Sequence, residues 1–121
     1  MTDLIERTAA LVAVPSESHH EAELADVVEQ RLGAVAHLRV ERVGDNVVAR
    51  TDLGRGQRLV VAGHLDTVPA AGNATPRVEG DVLWGLGAAD MKGGLAIMLE
   101  IAATLADPAV DVTWEFYARE E

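Results

Sequence analysis

The segment RLVVAGHLD, residues 58–66, combines a short apolar run with a histidine and an aspartate at its end. A continuous apolar run of this length is typical of a β-strand that is covered on both faces, as in a parallel sheet. We therefore predict a central strand over residues 58–63. His64 and Asp66 then follow the carboxyl end of that strand.

A helical pattern and a second strand-like pattern follow this run. Apolar residues recur at helical spacing over residues 90–106, where Asp90 can cap the amino end and only two further residues are charged, so a largely buried helix is expected. The segment VDVTWEFYA, residues 110–118, alternates apolar and polar residues and predicts a strand over residues 112–118. Strand, helix and strand in this order predict an α/β fold with a β–α–β unit, parallel strands and a right-handed crossover.

The amino-terminal half predicts two helices. Apolar spacing indicates a first helix over residues 4–12. The sequence SHHE, residues 18–21, has the pattern of a capping box and predicts a second helix over residues 19–32, with Gly33 at its carboxyl end. Turn residues between β-rich runs further predict two hairpins, one within residues 37–51 and a short one within PRVEGDVLW, residues 76–84.

The charge and composition of the chain exclude several classes of partner. Its 121 residues suit one domain, and 20 acidic against 10 basic residues give a net charge of −10. This charge repels phosphate backbones and anionic lipids, so we expect no nucleic-acid and no membrane partner. The start MTDLIER lacks the basic and apolar regions of a signal peptide, and a cytoplasmic location is expected. Because the chain has no cysteine, a bound metal would need histidine and carboxylate ligands.

Four candidate site residues fall at one edge of the predicted sheet. His64 follows the first strand, Asp90 begins the crossover helix, and Glu120 and Glu121 follow the second strand. Open α/β folds place their ligand sites at this edge. The clustered carboxylates would repel one another unless a cation were bound. Histidine nitrogen with carboxylate oxygen suits zinc, cobalt or manganese in a catalytic site.

The pattern also suggests separate roles for Asp66 and for the two glutamates. Asp66 lies two residues beyond His64 and can accept a hydrogen bond from the imidazole nitrogen that does not bind metal. Glu120 and Glu121 point in different directions from an extended backbone, so one can bind metal while the other serves as a general base. Either motif alone is usually ordinary surface chemistry, and the prediction depends on their combination.

The remaining histidines are predicted to take no part in catalysis, and Lys92 has two possible roles. His19 and His20 are expected to be solvated in a first helical turn, and His37 to be structural. Lys92 could either bind a substrate anion or balance the nearby acids. The segment GLGAAD, residues 85–90, partly matches a G-x-G-x-x-G nucleotide loop, but its last residue is an aspartate that would repel a pyrophosphate.

Three segments carry a family resemblance: VVAGHLDTVPAAG (60–72), GLGAADMKGGLAIML (85–99) and WEFYAREE (114–121). In this order and spacing they resemble the co-catalytic zinc metallopeptidase family, which includes aminoacylases, acetylornithine deacetylases, glutamate carboxypeptidases and succinyl-diaminopimelate desuccinylases. The resemblance implies a zinc-exopeptidase-like catalytic domain with a mixed sheet flanked by helices. The segments HLDTVPAAGN and TPRVEGDVLWG are most similar to the desuccinylase group, although Leu86 stands where many members have arginine.

Carried over position by position, the resemblance implies a role for each candidate residue. His64 would bind one zinc, Asp90 would bridge two metals, and Glu121 would bind the second. Asp66 would orient the histidine and Glu120 would be the general base. The Asp90–Met91 bond would be a cis peptide. The implied cofactor is two Zn²⁺ ions, with Co²⁺ as a substitute. The implied reaction is hydrolysis of a small N-acyl amino acid at its amide bond.

Family members are much longer than this chain. We therefore expect residues 1–121 to be the amino-terminal portion of the catalytic domain, without the dimerisation domain and the carboxyl-terminal part that supplies two further ligands. The parent protein would be a homodimer, and the isolated chain would be inactive because two metals would not be held. The alternatives are a deacetylase or carboxypeptidase of the same family, or a non-catalytic fragment that needs a partner segment.

Overall fold

A computed structural model describes residues 3–121, and the fold is α/β as expected. Two helices come first and five strands follow, and a π-helical turn over Ala88–Lys92 then leads into the third helix and the last strand. The helices are α1 (Leu4–Val12), α2 (Ala22–Gly33) and α3 (Gly93–Thr104), and the strands are β1 (Arg39–Val43), β2 (Asn46–Arg50), β3 (Arg58–His64), β4 (Arg77–Glu79), β5 (Val82–Trp84) and β6 (Asp111–Tyr117).

Four strands form a mixed sheet in the order β1-β2-β6-β3. Strands β3 and β6 are parallel, with Arg58 opposite Asp111 and His64 opposite Tyr117, which confirms the predicted parallel pairing. The pairs β1–β2 and β2–β6 are antiparallel, and β4 and β5 form the expected separate hairpin. The carboxyl ends of β3 and β6 therefore lie side by side.

The prediction that residues 58–63 form the central strand is wrong for the part of the chain described. Strand β3 pairs only with β6 and is an edge of the sheet over residues 3–121. Leu59 and Val60 are each more than half exposed, at 54% and 53%. Strand β6 has neighbours on both sides and holds the buried Trp114 and Phe116. An apolar run shows that a strand is suited to burial, but it does not show which neighbour covers it.

The core lies between the helices and the sheet. Helix α2 contacts β1 and β2, while α3 contacts β3 and β6. Each fully buried leucine or phenylalanine contributes about 1.5–3 kcal/mol relative to an exposed one, so this apolar layer dominates the stability of the fold. Its main members are Leu11, Leu24, Val28, Leu32, Val47, Leu95, Leu99, Trp114 and Phe116.

The expected capping box of the second helix is absent. Helix α2 begins at Ala22 rather than near residue 19, and Glu21 precedes it without a side-chain capping bond. The amide of Ser18 donates to the carbonyl oxygen of Thr67, and its hydroxyl donates to Asp66. These partners on a distant loop hold Ser18 outside the helix. His19 and His20 are exposed as expected, but they lie in the loop before α2 and not in its first turn.

Helix α3 also starts later than predicted. Asp90 does not cap it, because Asp90 lies inside the π-helical turn in an extended conformation (φ −134°, ψ 89°). The expectation of a largely buried helix holds for the face that carries Leu95 and Leu99, whereas Ile97 and Ile101 are exposed. His37 is structural as predicted, since its Nε2 lies 2.8 Å from the carbonyl oxygen of Ala102 in α3.

Candidate metal centre

Three separate segments meet at the carboxyl ends of β3 and β6. His64 is the last residue of β3, and the pairing continues one step further, because the amide of Leu65 donates to the carbonyl oxygen of Tyr117 at 2.7 Å. This bond places Glu121, four residues after Tyr117, beside the loop that follows His64. Asp90 reaches the same edge from the turn before α3. The sheet edge predicted from the order of the elements is the one that forms.

The helix comes close to this edge because Gly63 has no side chain. A Cβ atom on Gly63 would lie 2.7 Å from Cε of Met91 and 2.9 Å from both Leu95 and Met98. The amide of His64 donates to Sδ of Met91 at 3.2 Å. The Asp90–Met91 peptide bond is cis, as the sequence resemblance implied. Gly63 and Met91 thus set the position of Asp90 relative to the end of β3.

His64, Asp90 and Glu121 form a compact set of donor atoms. One ligand atom of each residue lies within 4.8 Å of the others. Nε2 of His64 is 2.8 Å from Oδ1 of Asp90. The imidazole is buried, with 6% of its side chain exposed, whereas the carboxylate of Asp90 is 72% exposed. The histidine end of the donor set is therefore buried in the protein, and the aspartate end is open to solvent.

Asp66 contacts more groups than the sequence suggested. Its side chain is completely buried, and Oδ1 lies 3.2 Å from Nδ1 of His64, which is the predicted orienting contact. The same carboxylate accepts the backbone amides of Glu120 at 2.8 Å and Glu121 at 3.0 Å. It also accepts the hydroxyl of Ser18 at 2.5 Å. Asp66 therefore links the histidine, the glutamate pair and the loop before α2.

The two glutamates are directed differently, as expected. Glu121 joins the donor set with His64 and Asp90. The carboxylate of Glu120 instead accepts a hydrogen bond from the Tyr117 hydroxyl at 3.1 Å. The backbone at Arg119, just before the pair, is left-handed with φ 65°.

The pKa values in this cluster reflect its charges. Loss of water contact raises the pKa of Glu121, and the nearby Asp90 carboxylate raises it further. Burial lowers the pKa of His64, but the hydrogen bonds to Asp90 and Asp66 outweigh burial, so the net pKa is raised. Two adjacent carboxylates and an imidazole held against them are the environment that a divalent cation would stabilise. The residues present therefore fit a metal ion.

The carboxylate of Asp66 is held in its charged form. Burial acts to raise the pKa of Asp66, but the hydrogen bonds from Ser18, Glu120 and Glu121 outweigh burial and lower it. A carboxylate that stays ionised can orient the imidazole through Nδ1 and leave Nε2 for a ligand.

A cavity of about 240 Å³ opens beside Asp90 and Glu121. It is lined partly by Thr67 and Gly87. Gly87 has φ 76°, and a Cβ atom there would lie 2.6 Å from Cγ2 of Thr67. A side chain at position 87 would therefore clash with Thr67 in the wall of the cavity. The cavity is large enough for a small organic group next to the donor set.

Several contributing residues were missed or misjudged from the sequence. Ser18 was predicted to cap a helix, and Tyr117 received no role. Lys92 was expected to meet a substrate anion or nearby acids. The structure buries it, and its ammonium donates to the carbonyl oxygens of Leu11 at 3.0 Å and Val14 at 2.8 Å. Burial lowers the pKa of Lys92 to about 8. Long-range contacts of this kind leave no local sequence signal.

Sequence relatives are found among desuccinylases. The chain is 55% identical over 120 residues to a putative succinyl-diaminopimelate desuccinylase of Mycobacterium tuberculosis, covering 98% of this chain and 34% of the relative. It is 45% identical over 106 residues to a succinyl-diaminopimelate desuccinylase of Corynebacterium glutamicum, covering 86% of this chain and 29% of the relative. The chain thus spans about a third of the length of the curated relatives that it matches.

Solved structures share the fold at lower identity. An M20 family metallo-carboxypeptidase from Sulfolobus solfataricus superimposes with a TM-score of 0.79 and 20% identity, over 98% of this chain and 31% of the other. An aminopeptidase from Bacillus cereus gives a TM-score of 0.78 and 23% identity, over 95% of this chain and 35% of the other. These matches confirm the expected α/β fold with a mixed sheet.

The family model described as Peptidase family M20/M25/M40 matches residues 60–121. This span includes all five candidate site residues and half of the chain. The match, the desuccinylase relatives and the shared fold agree with the resemblance seen in the sequence motifs. The chain belongs to peptidase family M20/M25/M40, a family of generally metal-dependent hydrolases.

Proposed function

We propose that this chain is part of a dinuclear zinc amidohydrolase that converts N-succinyl-LL-2,6-diaminopimelate to succinate and LL-2,6-diaminopimelate, a step of lysine and diaminopimelate biosynthesis. The observation that carries the proposal is that ligand atoms of His64, Asp90 and Glu121 all lie within 4.8 Å of one another. The choice of substrate is supported by the names of the relatives at 55% and 45% identity.

The proposed ligand roles follow the donor set. His64 and Glu121 would each hold one metal ion, and Asp90, whose carboxylate lies near both, would be shared between the two ions. Two Zn²⁺ ions are proposed, with Co²⁺ as a substitute. When bound, such ions lower the pKa of a water molecule and polarise the amide carbonyl. Asp66 would keep the imidazole of His64 in the tautomer that offers Nε2.

Glu120 is the proposed general base. Its carboxylate stands outside the three-residue donor set, where the Tyr117 hydroxyl donates to Oε2 at 3.1 Å. One of the two carboxylate oxygens is thereby fixed and the other remains available to a proton. Glu120 would take a proton from the attacking water and return it to the leaving amine, so that the amine departs in neutral form.

The lengths of the relatives support a proposal for the domain organisation. The chain corresponds to between 26% and 34% of the first four curated relatives. We propose that residues 1–121 form the amino-terminal portion of the catalytic domain, and that a longer homodimeric parent supplies one more carboxylate and one more histidine ligand. The isolated chain is then inactive. A cytoplasmic location belongs to the same proposal, and within residues 3–121 no helix has the length and hydropathy needed to cross a bilayer.

A second candidate is a deacetylase or carboxypeptidase of the same family. This alternative is favoured by the fold shared with the M20 family metallo-carboxypeptidase, at a TM-score of 0.79. The donor set would serve either reaction, because both break an amide bond. The two candidates differ only in the groups attached to that bond.

The test is a substrate panel on the full-length protein that carries this sequence. The metal-loaded protein would be assayed with N-succinyl-diaminopimelate, N-acetylornithine and simple dipeptides at equal concentration. The proposal expects kcat/KM for the succinyl substrate to exceed the other values by about 100-fold or more, a separation that direct contacts to a charged acyl group can supply. Equal or greater activity on the acetyl or dipeptide substrates would favour the second candidate.

A further inference from the structure

Glu21 is a fully buried carboxylate without a hydrogen-bond partner for its side chain. It is 0% exposed, and neither Oε1 nor Oε2 accepts a hydrogen bond within residues 3–121. It immediately precedes α2, yet its side chain makes no capping bond there. A buried carboxylate that accepts no hydrogen bond is costly. A nearby cation would offset part of this cost.

The nearest cation to this carboxylate is Arg119. Nε of Arg119 lies 3.7 Å from Oε2 of Glu21, within the range of an ion pair and slightly beyond a hydrogen bond. Arg119 is the residue before the Glu120–Glu121 pair, and its backbone is left-handed with φ 65°. Non-glycine residues adopt this conformation uncommonly, and only where surrounding contacts hold it. The charge of Glu21 thus acts at the turn that directs the two glutamates.

The loop that carries Glu21 is itself attached to the site. Ser18, three residues earlier, donates to the Asp66 carboxylate at 2.5 Å, and the amide of Thr67 donates to the carbonyl oxygen of Ser16 at 2.9 Å. Besides the bond between Ser16 and Thr67, the loop makes two further contacts: Ser18 meets Asp66, and Glu21 meets Arg119. Asp66 in turn accepts the amides of Glu120 and Glu121, the two residues that follow Arg119.

We infer that Glu21 is a positioning residue for the proposed hydrolysis: through its ion pair with Arg119 it holds the left-handed turn that aims Glu120 and Glu121. The inference rests on the proposed function for its effect on rate. Glu21 itself touches neither substrate nor metal. Its carboxylate holds the guanidinium of Arg119 against the loop before α2, and this contact keeps the following amides, those of Glu120 and Glu121, on Asp66.

The test uses the full-length protein loaded with Zn²⁺ and three variants, Glu21→Gln, Arg119→Gln and the double variant. Glu17→Gln is the matched control, because Glu17 lies in the same loop and its side chain accepts the amide of Ala70, away from Arg119. Two quantities are measured: kcat and KM on the best substrate, and hydrogen exchange by mass spectrometry over the peptide containing residues 117–121. The exchange measurement needs no activity.

The expected result is a fall in kcat of about 10- to 100-fold for Glu21→Gln and for Arg119→Gln, the range found when residues that support metal ligands are replaced. KM should change little. The amides of Glu120 and Glu121 should exchange faster by a similar factor. The double variant should be no worse than either single variant, because both changes break one ion pair. Arg119→Lys should restore part of the loss, and Glu17→Gln should match the parent in both measurements.

Several outcomes would overturn the inference. One is a lower melting temperature for Glu21→Gln with unchanged kcat and exchange, which is the result for a purely structural role. Another is full addition of the effects of the two single variants in the double variant, which would show that the side chains act separately. If Glu21→Gln does not fold, the result for Arg119→Gln decides the question. The Arg119 side chain is 54% exposed, so its replacement is not expected to unfold the chain, and unchanged exchange in that variant contradicts the inference. If the parent hydrolyses nothing, the proposed function fails, while the exchange data still decide the role of Glu21.

Discussion

Asp66 accepts the backbone amide of Glu120 at 2.8 Å while its carboxylate also meets the imidazole of His64. One buried side chain therefore fixes both halves of the candidate site, the end of β3 and the segment after β6. A carboxylate has two oxygens and no hydrogen to donate, which suits a position surrounded by donors. This arrangement makes Asp66 the most connected residue of the site.

Replacing Asp66 by asparagine should disrupt the hydrogen bonds that Asp66 makes with His64 and with the segment after β6. Asparagine keeps one acceptor oxygen and places an NH₂ group against donors such as the Ser18 hydroxyl or the Glu121 amide. We expect Asp66→Asn in the full-length protein to reduce metal affinity and kcat/KM by about 10- to 100-fold. Isothermal titration with Zn²⁺ and steady-state kinetics measure both. Asp52→Asn, at an exposed position, is the control and should match the parent. Unchanged zinc affinity in Asp66→Asn would contradict the orienting role.

Gly63 should be intolerant of any side chain. An added Cβ would lie 2.7 Å from Met91 and 2.9 Å from Leu95 and Met98, so α3 or β3 would have to move. We expect Gly63→Ala to lower the free energy of unfolding by about 1–3 kcal/mol, the usual cost of overpacking. Urea denaturation measures this value. Gly56→Ala is the matched control, since nothing lies within 4 Å of a Cβ there. Equal stability of the two variants would show that the helix does not approach β3 so closely.

Asp111 should make stability depend on pH in the acidic range. Hydrogen bonds from the amide of Leu53, the hydroxyl of Thr51 and the amide of Arg55 lower the pKa of Asp111 to about 2 from an ordinary 3.8. Because the folded state lowers this pKa, the charged form stabilises the fold. That contribution is fully present above the ordinary pKa of 3.8 and is lost as the pH falls towards 2.

The variant Asp111→Asn tests this dependence. At neutral pH it should be less stable than the parent, because asparagine has one acceptor oxygen for three donors. The difference in free energy of unfolding should shrink as the pH is lowered from 4 towards 2. Denaturation at a series of pH values measures it, and Asp81→Asn, on an exposed turn, serves as the control. A difference that stays constant down to the lowest measurable pH would contradict the assignment.

The order of elements was enough to predict which residues would share an edge. His64 and Glu121 were expected to meet because parallel strands end at the same side of a sheet, and they do. The position of β3 in the sheet was wrong, because its apolar run does not specify a neighbour. Ser18 was misassigned for a related reason: its local pattern fits a helix cap, whereas its hydroxyl binds Asp66, 48 residues away. Contacts made by tertiary packing override local signals of this kind.

The most direct test of the account compares Glu120→Ala with Glu121→Ala in the full-length protein, with bound zinc measured by mass spectrometry and kcat measured on N-succinyl-diaminopimelate. The account predicts that Glu120→Ala keeps its zinc and loses about 10²- to 10⁴-fold in kcat, the usual contribution of a general base. Glu121→Ala should lose zinc and activity together. If Glu120→Ala lost its zinc while Glu121→Ala retained it, the roles of base and ligand would be reversed and the proposed site would be wrong.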